Sequence, residues 1–456
     1  MTGNAKRQWQ YWLPIALIVA ASALRVFICF QHNPMDSLSS DMLRHWNNGL
    51  RFPRGGYTGA ADPIGYQVYM FALERVTQSN RFLVALAAAL MSVAMPWTYY
   101  RAARGFGLSK IPGLWAWALI ALAPSLMAIY HFIMMETLLL LLEGLALWMT
   151  ARYLRRGGRR AFLLFVFCWT LACLTKPTVA PLAGICFLWV WWKRATPMRH
   201  ILLGAALAFV MLLPQVVRSY VVLGFVAPFG NPWLTRIQLR SGVKTIHLYV
   251  HAPVNERERF HLTDTDMQFL SPSCVIAPLE PLSHWAMRRA WDNSQATITI
   301  DSSHGERDWK QAYDSFDNDP DEWLAQGREN VILFLFSPSW PEVQFGQWDG
   351  HLEYGSRWIW APLILFVFVF NLRDFARRRF YLLPVATTVF TLVLAFQNMV
   401  IMEGRYRKVV EPLLLLNAVW VLAAHDRTNR RTATPELQIA ACAVTGSGAP
   451  KPAIQG

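Results

Sequence analysis

Apolar segments of about twenty residues recur along most of this chain, with polar connections between them. A bilayer core of ~30 Å takes roughly 20 apolar residues per helix. The sequence therefore predicts about ten spanning helices, over residues 11–30, 82–100, 111–130, 133–151, 161–174, 179–192, 201–217, 358–372, 380–398 and 409–424. The fifth and sixth segments are short, and we predict a tight hairpin between them. A chain that is 54% hydrophobic and 16% charged is ordinary for a membrane protein.

Basic residues are concentrated in every second connection. They precede the first segment and follow the second, fourth, sixth, eighth and tenth segments. Because cytoplasmic loops carry the excess of Lys and Arg in membrane proteins, we predict that these connections and both termini are cytoplasmic. The net charge of +14 is then a signal of topology, and we expect the lipid bilayer rather than nucleic acid as a partner. The predicted location is the inner (plasma) membrane.

Two long connections fall on the opposite, non-cytoplasmic side. Residues 31–81 predict two short helices at the membrane surface, near 43–50 and 66–76. Residues 218–357 are too many for a simple connector and predict a cap. The predicted fold is thus an all-α polytopic membrane protein with a non-cytoplasmic α or α+β cap. Its parts are a transmembrane core with the first external loop (1–217), the cap (218–357), C-terminal helices (358–424) and a flexible cytoplasmic tail (425–456).

Charged residues at the segment ends gather on the non-cytoplasmic side; they are Asp41, Glu136, Lys176, Arg218 and Arg405. Asp41 follows the first segment. It suits a general base that takes a proton from an attacking hydroxyl, and it equally suits a cap of the helix that follows. Asp36 is the rival carboxylate.

Several cations on this side suit an anionic ligand. Lys176 lies in the hairpin, where it either reaches toward lipid headgroups or holds a phosphate. Arg405 and Arg407 stand at the mouth of the last segment, against the general distribution of positive charge, so an anionic partner is their simplest explanation. Arg218 ends the seventh segment in the same way.

Other polar residues are predicted to line the substrate site: Asp62, Tyr66, His131 and Glu136. Asp62 to Tyr66 forms a turn, because Pro and Gly interrupt regular structure there. Glu143 lies two turns deeper than Glu136 on the same helix face, and an acid within a span should pair with another group. The isolated histidines and the six cysteines, none of them in a CxxC pair, indicate no metal site or disulfide framework.

In this order, the motifs resemble those of the C-superfamily (GT-C) glycosyltransferases, and most of all bacterial relatives of the dolichyl-phosphate-mannose protein mannosyltransferases. The similar stretches are Ser40-Asp41, Asp62-Pro-Ile-Gly-Tyr66, Glu136, Leu174-Thr-Lys-Pro177, Pro214-Gln-Val-Val-Arg218 and Gly404-Arg-Tyr-Arg407 with Glu411-Pro412. Two residues depart from the pattern. Met42 replaces a second acid, which weakens a metal-bridging role, and Asp62 replaces a His or Pro.

The resemblance implies an inverting transferase that moves a sugar from a polyprenyl-phosphate donor to a hydroxyl of a glycan, lipid or protein, on the periplasmic side. Asp41 would be the base. Lys176, Arg405, Arg407 and Arg218 would bind the donor phosphate. A divalent cation stays open as a cofactor. The alternatives are a polysaccharide ligase or polymerase with a diphosphate-linked donor, a lipid-sugar flippase or transporter, and a structural subunit.

Overall fold

The computed structural model describes residues 3–38, 40–52, 62–194, 196–233, 236, 245–251, 265–269, 273–278, 285–290, 295–301, 306–314, 331, 334–336, 348–397 and 404–424. For some of them, including Asp41, Arg405 and 245–301, only the backbone is described. The predicted C-terminal tail lies outside the described residues.

Helices form the N-terminal part of the chain. Their bounds are Gly3–Gln31 (α1), Ser40–Arg51 (α2), Ile64–Thr77 (α3), Arg81–Gly105 (α4), Lys110–Leu122 (α5), Pro124–Ala128 (α6), Met135–Arg156 (α7), Arg159–Thr175 (α8), Ala180–Lys193 (α9) and Met198–Leu223 (α10). Short 3-10 turns at Pro34–Ser37, Ile129–His131 and Pro177–Val179 connect some of them. The helices predicted near 43–50 and 66–76 are present as α2 and α3, and their position at the membrane surface stays a prediction.

The long connection after α10 contains both strands and helix. Among its described residues, the strands are Thr245–His251 (β1), Thr265–Phe269 (β2), Ser273–Pro278 (β3), Trp285–Ala290 (β4) and Gln295–Asp301 (β5). β1 pairs antiparallel with β2 and parallel with β5, and β3 pairs antiparallel with β4. Helix α11 (Glu306–Asp314) follows. That this segment forms a cap over the membrane helices stays a prediction.

Three helices complete the chain: Trp348–Ala376 (α12), Leu382–Gln397 (α13) and Glu411–Ala424 (α14). A 3-10 turn, Gly404–Val409, leads directly into α14. Buried Phe390, Leu394, Leu413 and Leu414 from α13 and α14 belong to the same core as residues of α4, α7 and α8. The last helices therefore pack on the N-terminal bundle.

Five described helical stretches are long and apolar enough to cross a membrane: Gln8–Asp36, Arg81–Gly105, Met135–Arg156, Met198–Val221 and Trp358–Ala376. A sixth results if Lys110–Leu122 and Pro124–His131, bent by 64°, form one broken span. The other four predicted segments also fall on helices, but these are shorter. The structure supports a multi-pass helical membrane protein, and the count of ten spans stays a prediction.

Arg25 holds the bend between α5 and α6. Pro124 has no N–H and interrupts the helix, which leaves carbonyls near the break without their usual partners. The Arg25 guanidinium, 1% exposed, donates to the carbonyls of Ile120 and Ala121 at 2.9 and 2.8 Å and to that of Leu126 at 3.0 Å. It also bonds the backbone and hydroxyl oxygens of Ser92 on α4. A buried cation thus joins three apolar segments.

Helix α2 is packed closely on α3. Met42 and Trp46 are 4% and 6% exposed and belong to the main core. A Cβ at Gly49 would lie 2.6 Å from Cβ of Met70, a contact that only glycine allows. The helix that carries Asp41 is therefore anchored to the bundle along its buried face.

Candidate functional site

Asp62 joins the start of α3 to α2. Its Oδ2 lies 3.5 Å from Nη1 of Arg44 and 3.7 Å from Nδ1 of His45. The His45 ring is 1% exposed and packs edge-on against Tyr66, with 5.2 Å between the ring centroids. Asp62, predicted to line the substrate site, therefore has its closest charged contacts with the helix that carries Asp41.

Lys176 and Glu136 form a buried ion pair. Lys176 Nζ donates to Glu136 Oε1 at 2.6 Å, and the side chains are 8% and 1% exposed. The pair links the hairpin after α8 to the first turn of α7. An ammonium carries three N–H donors, and the bond to Glu136 uses one of them. Because a buried charge is costly unless it is paired, this bond fixes the position of Lys176.

The Asp62–Tyr66 turn touches the Lys176 hairpin through Gly65. A Cβ at Gly65 would lie 2.8 Å from the carbonyl carbon of Leu174, so a side chain there would collide with the hairpin. Tyr66 follows, 1% exposed, and hydrogen-bonds the side chain of Thr137 on α7. Burial raises the pKa of Tyr66 well above its ordinary value, so the phenol stays protonated.

Arg218 reaches the same place from α10. Its Nη1 donates to Gln67 Oε1 at 2.7 Å, and its guanidinium interacts electrostatically with Asp62. Gln67 in turn donates to the backbone oxygen of Asp62 at 3.5 Å. We call this group of side chains the helix-end cluster; its members are Arg44, His45, Asp62, Tyr66, Gln67, Glu136, Lys176 and Arg218.

The helix-end cluster brings together five of the predicted site residues, from α3, α7, the hairpin and α10. Asp41 itself lies in the first turn of α2, three and four residues before Arg44 and His45. Its side chain is outside the described residues, and its role as a base stays a prediction. The rival Asp36 forms an ion pair with Arg81. Both of those side chains are exposed, at 45% and 63%.

Arg407 lies in a different set of contacts. Its Nε bonds Glu411 Oε1 at 3.0 Å, and its Nη1 donates to the carbonyls of Phe334 and Leu335 at 2.6 and 3.4 Å. Arg407 and Glu411 are both 0% exposed. The guanidinium thereby connects α14 to the external segment. The Arg405 side chain is outside the described residues, so its predicted phosphate contact stays a prediction.

Glu411 and Lys408 extend these contacts to the bend after α5. Glu411 Oε2 accepts from the Ser125 hydroxyl at 2.5 Å, and Lys408 Nζ donates to the Ser125 carbonyl at 2.8 Å. His131, predicted to line the site, is 2% exposed and lies 5.5 Å from the His32 ring and 4.3 Å from the Phe132 ring. It also interacts electrostatically with Lys408. His131 therefore lies beside Lys408, in the same set of contacts as Glu411 and Arg407.

A small, mainly apolar cleft of about 20 Å³ opens beside Tyr66. It lies between α3, α4 and the turn before α7. Its lining is aromatic and aliphatic and includes Tyr69, Met70, Ala88, Met91, Tyr130 and Phe132. Tyr66 and Thr137 contribute to both this cleft and the contacts around Glu136. The apolar cleft therefore adjoins the buried Glu136–Lys176 ion pair.

No group of three or more His, Cys, Asp or Glu side chains suited to a metal ion is found within the described ranges. Glu143, expected to pair within its span, is 0% exposed and lies beside the Tyr99 hydroxyl.

Sequence reasoning missed the roles of Arg25, Arg44 and His45. Arg25 is the one charged residue inside the first predicted segment, and that isolation is a signal, since charges within spans are costly and have partners. Arg44 and His45 follow Asp41 by one helical turn, but nothing in the sequence pairs them with Asp62.

Comparison with known families supports the resemblance found in the sequence. Residues 63–217 match the family model described as dolichyl-phosphate-mannose-protein mannosyltransferase. The match runs from the Asp62–Tyr66 turn almost to Arg218 and includes Glu136 and Lys176. No curated protein sequence matches the chain significantly. The matched residues point to glycosyltransferase activity in general, and over residues 63–217 this membrane chain is similar to the GT-C-like mannosyltransferases.

Proposed function

We propose that this protein is an inverting membrane glycosyltransferase that moves a sugar from a polyprenyl-phosphate donor to an acceptor hydroxyl. The observation that carries the proposal is the convergence of Lys176, Glu136, Arg218 and Asp62 at one set of helix ends. Lys176 and Glu136 lie within the stretch that matches the mannosyltransferase family, and Asp62 and Arg218 directly flank it. Asp41 enters this region on α2. The acceptor is a glycan, a lipid or a protein.

In the proposed reaction, Asp41 takes the proton of the acceptor hydroxyl while its oxygen attacks the anomeric carbon of the donor. The bond from that carbon to the phosphate oxygen breaks, and its electron pair leaves with the polyprenyl phosphate. The leaving phosphate gains negative charge and needs cations more than a proton. Lys176 and Arg218 suit this task, because fixed cations at a developing negative charge lower the barrier.

Arg405 remains a proposed third phosphate ligand, since it precedes the buried Arg407 by two residues. Arg407 suits a positioning role better, because Glu411 and two main-chain carbonyls already bond its guanidinium. It would hold the 404–409 turn against the external segment and so place Arg405.

The aromatic and aliphatic lining of the cleft suits the first isoprene units of the donor, for which the cleft would have to widen. It borders Tyr66 and Thr137, so a lipid chain in it would direct its phosphate toward the Glu136–Lys176 pair. We propose the reaction on the periplasmic side, because the residues of the helix-end cluster lie in or beside the connections predicted to be non-cytoplasmic.

The test is transfer by the purified protein in lipid nanodiscs. Radiolabelled polyprenyl-phosphate hexoses and pentoses are supplied with envelope glycans, lipids and proteins, and products are identified by mass spectrometry. Asp41→Asn is expected to lower turnover about 10²–10⁴-fold, the usual contribution of a general base. Asp36→Asn is the matched control, since that carboxylate pairs with Arg81 at the surface, and it should transfer normally.

Near-normal turnover by Asp41→Asn would contradict its role as the base. A protein that moves lipid-linked sugars across vesicles without forming a glycosidic product would instead favour the transporter alternative. Transfer from diphosphate-linked donors alone would favour the ligase or polymerase.

A further inference from the structure

The carboxylate of Asp62 has its closest charged contacts with side chains of α2. Asp62 is 9% exposed, and its Oδ2 lies close to both Arg44 and His45. Both partners belong to one helix turn, so a single carboxylate restrains α2 by two adjacent side chains. Carboxylates this deeply buried are stable only when they are paired, which explains why two cationic or polar groups of α2 face it.

A ring contact of His45 reinforces the restraint. The ring packs against Tyr66, which is itself 1% exposed and bonded to Thr137. Asp62 and Tyr66 lie four residues apart at the start of α3. Because Gly65 abuts Leu174, this start is fixed relative to the Lys176 hairpin. The position of α2 is therefore tied, through His45, to the position of Lys176.

The geometry of α2 carries this restraint to Asp41. Residues three and four apart lie on one face of a helix, one turn from each other. Arg44 and His45 stand in this relation to Asp41. A tilt or shift of this turn would displace the first turn of α2, where Asp41 lies, by a similar amount.

We propose that Asp62 and His45, with Arg44, are positioning residues that set where Asp41 meets the acceptor. This inference rests on the proposed function, because it acts through the proposed base. It assigns Asp62 no contact with substrate. It also explains how a base on a short helix outside the membrane spans is kept in register with a cation on the α8–α9 hairpin.

The test is a double-mutant cycle between Asp62→Asn and Asp41→Asn in the nanodisc transfer assay. A misplacement of about 1 Å can cost about 10²-fold in rate, so Asp62→Asn is expected to lower kcat by about 10- to 100-fold with an unchanged donor KM. In the Asp41→Asn background, adding Asp62→Asn should change the residual turnover very little, because there is no longer a base to position.

His45→Gln and Arg44→Gln cut the same contacts from the α2 side. If Asp62→Asn does not fold, as judged by its melting temperature in detergent, each of these two variants can replace it in the double-mutant cycle with Asp41→Asn. Asp62→Glu should recover part of the lost kcat, because it restores the charge one methylene away.

Three outcomes would overturn the inference. Asp62→Asn could raise the donor KM with kcat intact, which would make Asp62 a substrate contact. In the double variant, the rate losses caused by Asp62→Asn and Asp41→Asn could multiply, which would show that Asp62 acts independently of Asp41. Asp62→Asn could also have no effect on transfer. Full activity of Asp41→Asn alone is a separate result, since it removes the proposed base itself and not merely its positioning.

Discussion

Two buried ion pairs in this protein look alike and differ in what surrounds them. Lys176–Glu136 and Arg407–Glu411 each join a cation to a carboxylate, with bond lengths of 2.6 and 3.0 Å and almost no exposure. The sequence predicted both cations as phosphate ligands. Lys176 lies where the Asp62–Tyr66 turn, α7 and the α8–α9 hairpin meet. Arg407 also bonds the main chain of Phe334 and Leu335 and lies 5.6 Å from the Trp360 ring.

We infer from this difference that Lys176 suits a ligand-binding cation and Arg407 a structural one. A guanidinium has five N–H groups in a fixed fork, and when main-chain carbonyls of a distant segment accept from it, the side chain holds that segment. An ammonium is a compact charge on a flexible stem, and in Lys176 the bond to Glu136 orients it. The following predictions test this contrast, beginning with the largest expected effect.

Arg407→Met should destabilise the fold by about 3–5 kcal/mol, because it leaves Glu411 buried without its cation. The measurement is the unfolding of the purified protein in detergent. The double variant Arg407→Met/Glu411→Gln should recover much of this stability and should retain transfer. If that double variant folds normally and transfers nothing, Arg407 contacts the donor and the contrast fails.

Lys176→Met should lower kcat/KM for transfer by about 10²–10³-fold, the usual cost of removing one group that stabilises developing negative charge. It should also lose stability, since Glu136 is left unpaired. The double variant Lys176→Met/Glu136→Gln should regain stability without regaining transfer. Recovery of both would make this pair structural, like the Arg407 pair.

Gly65→Ala should cost about 1–3 kcal/mol, because the added methyl group overpacks against the Leu174 carbonyl. Transfer should fall with it, as the hairpin that carries Lys176 is displaced. Gly184→Ala on α9 is the matched control, since a Cβ there meets nothing within 4 Å. Equal melting temperatures and equal transfer rates for the two variants would contradict the close approach.

Ala88→Phe should raise the donor KM about tenfold, which corresponds to about 1.4 kcal/mol, by filling the apolar cleft beside Tyr66. The kcat should change little. Leu90→Phe on the same helix is the control, because Leu90 is 63% exposed and faces away from the cleft. The effect should be larger for long-chain donors than for truncated ones, and an unchanged KM would place the lipid elsewhere.

Hydrophobic segments made much of the helical architecture predictable. A run of about twenty apolar residues has few alternatives to a helix in lipid, and helices occupy all ten predicted segments. Pro and Gly likewise marked the Asp62–Tyr66 turn and the Lys176 hairpin. The approach of Gly65 to Leu174 was not predictable, because it joins residues more than a hundred positions apart. The pairing of Lys176 with Glu136, forty positions apart, was hidden for the same reason. Arg407 and Glu411 stand four residues apart, a spacing at which helical side chains commonly pair, so this pair was open to prediction.

The bend held by Arg25 has a consequence for how the protein is made. The acceptors of its guanidinium lie between residues 92 and 126, so none has been synthesised when the first helix leaves the ribosome. Until the second segment supplies Ser92 and the third supplies its carbonyls, that helix carries an unmatched charge, which in lipid costs roughly 2.5–3.5 kcal/mol at a helix centre. The first three segments therefore complete their insertion together, because carbonyls of the third segment accept hydrogen bonds from Arg25 in the first.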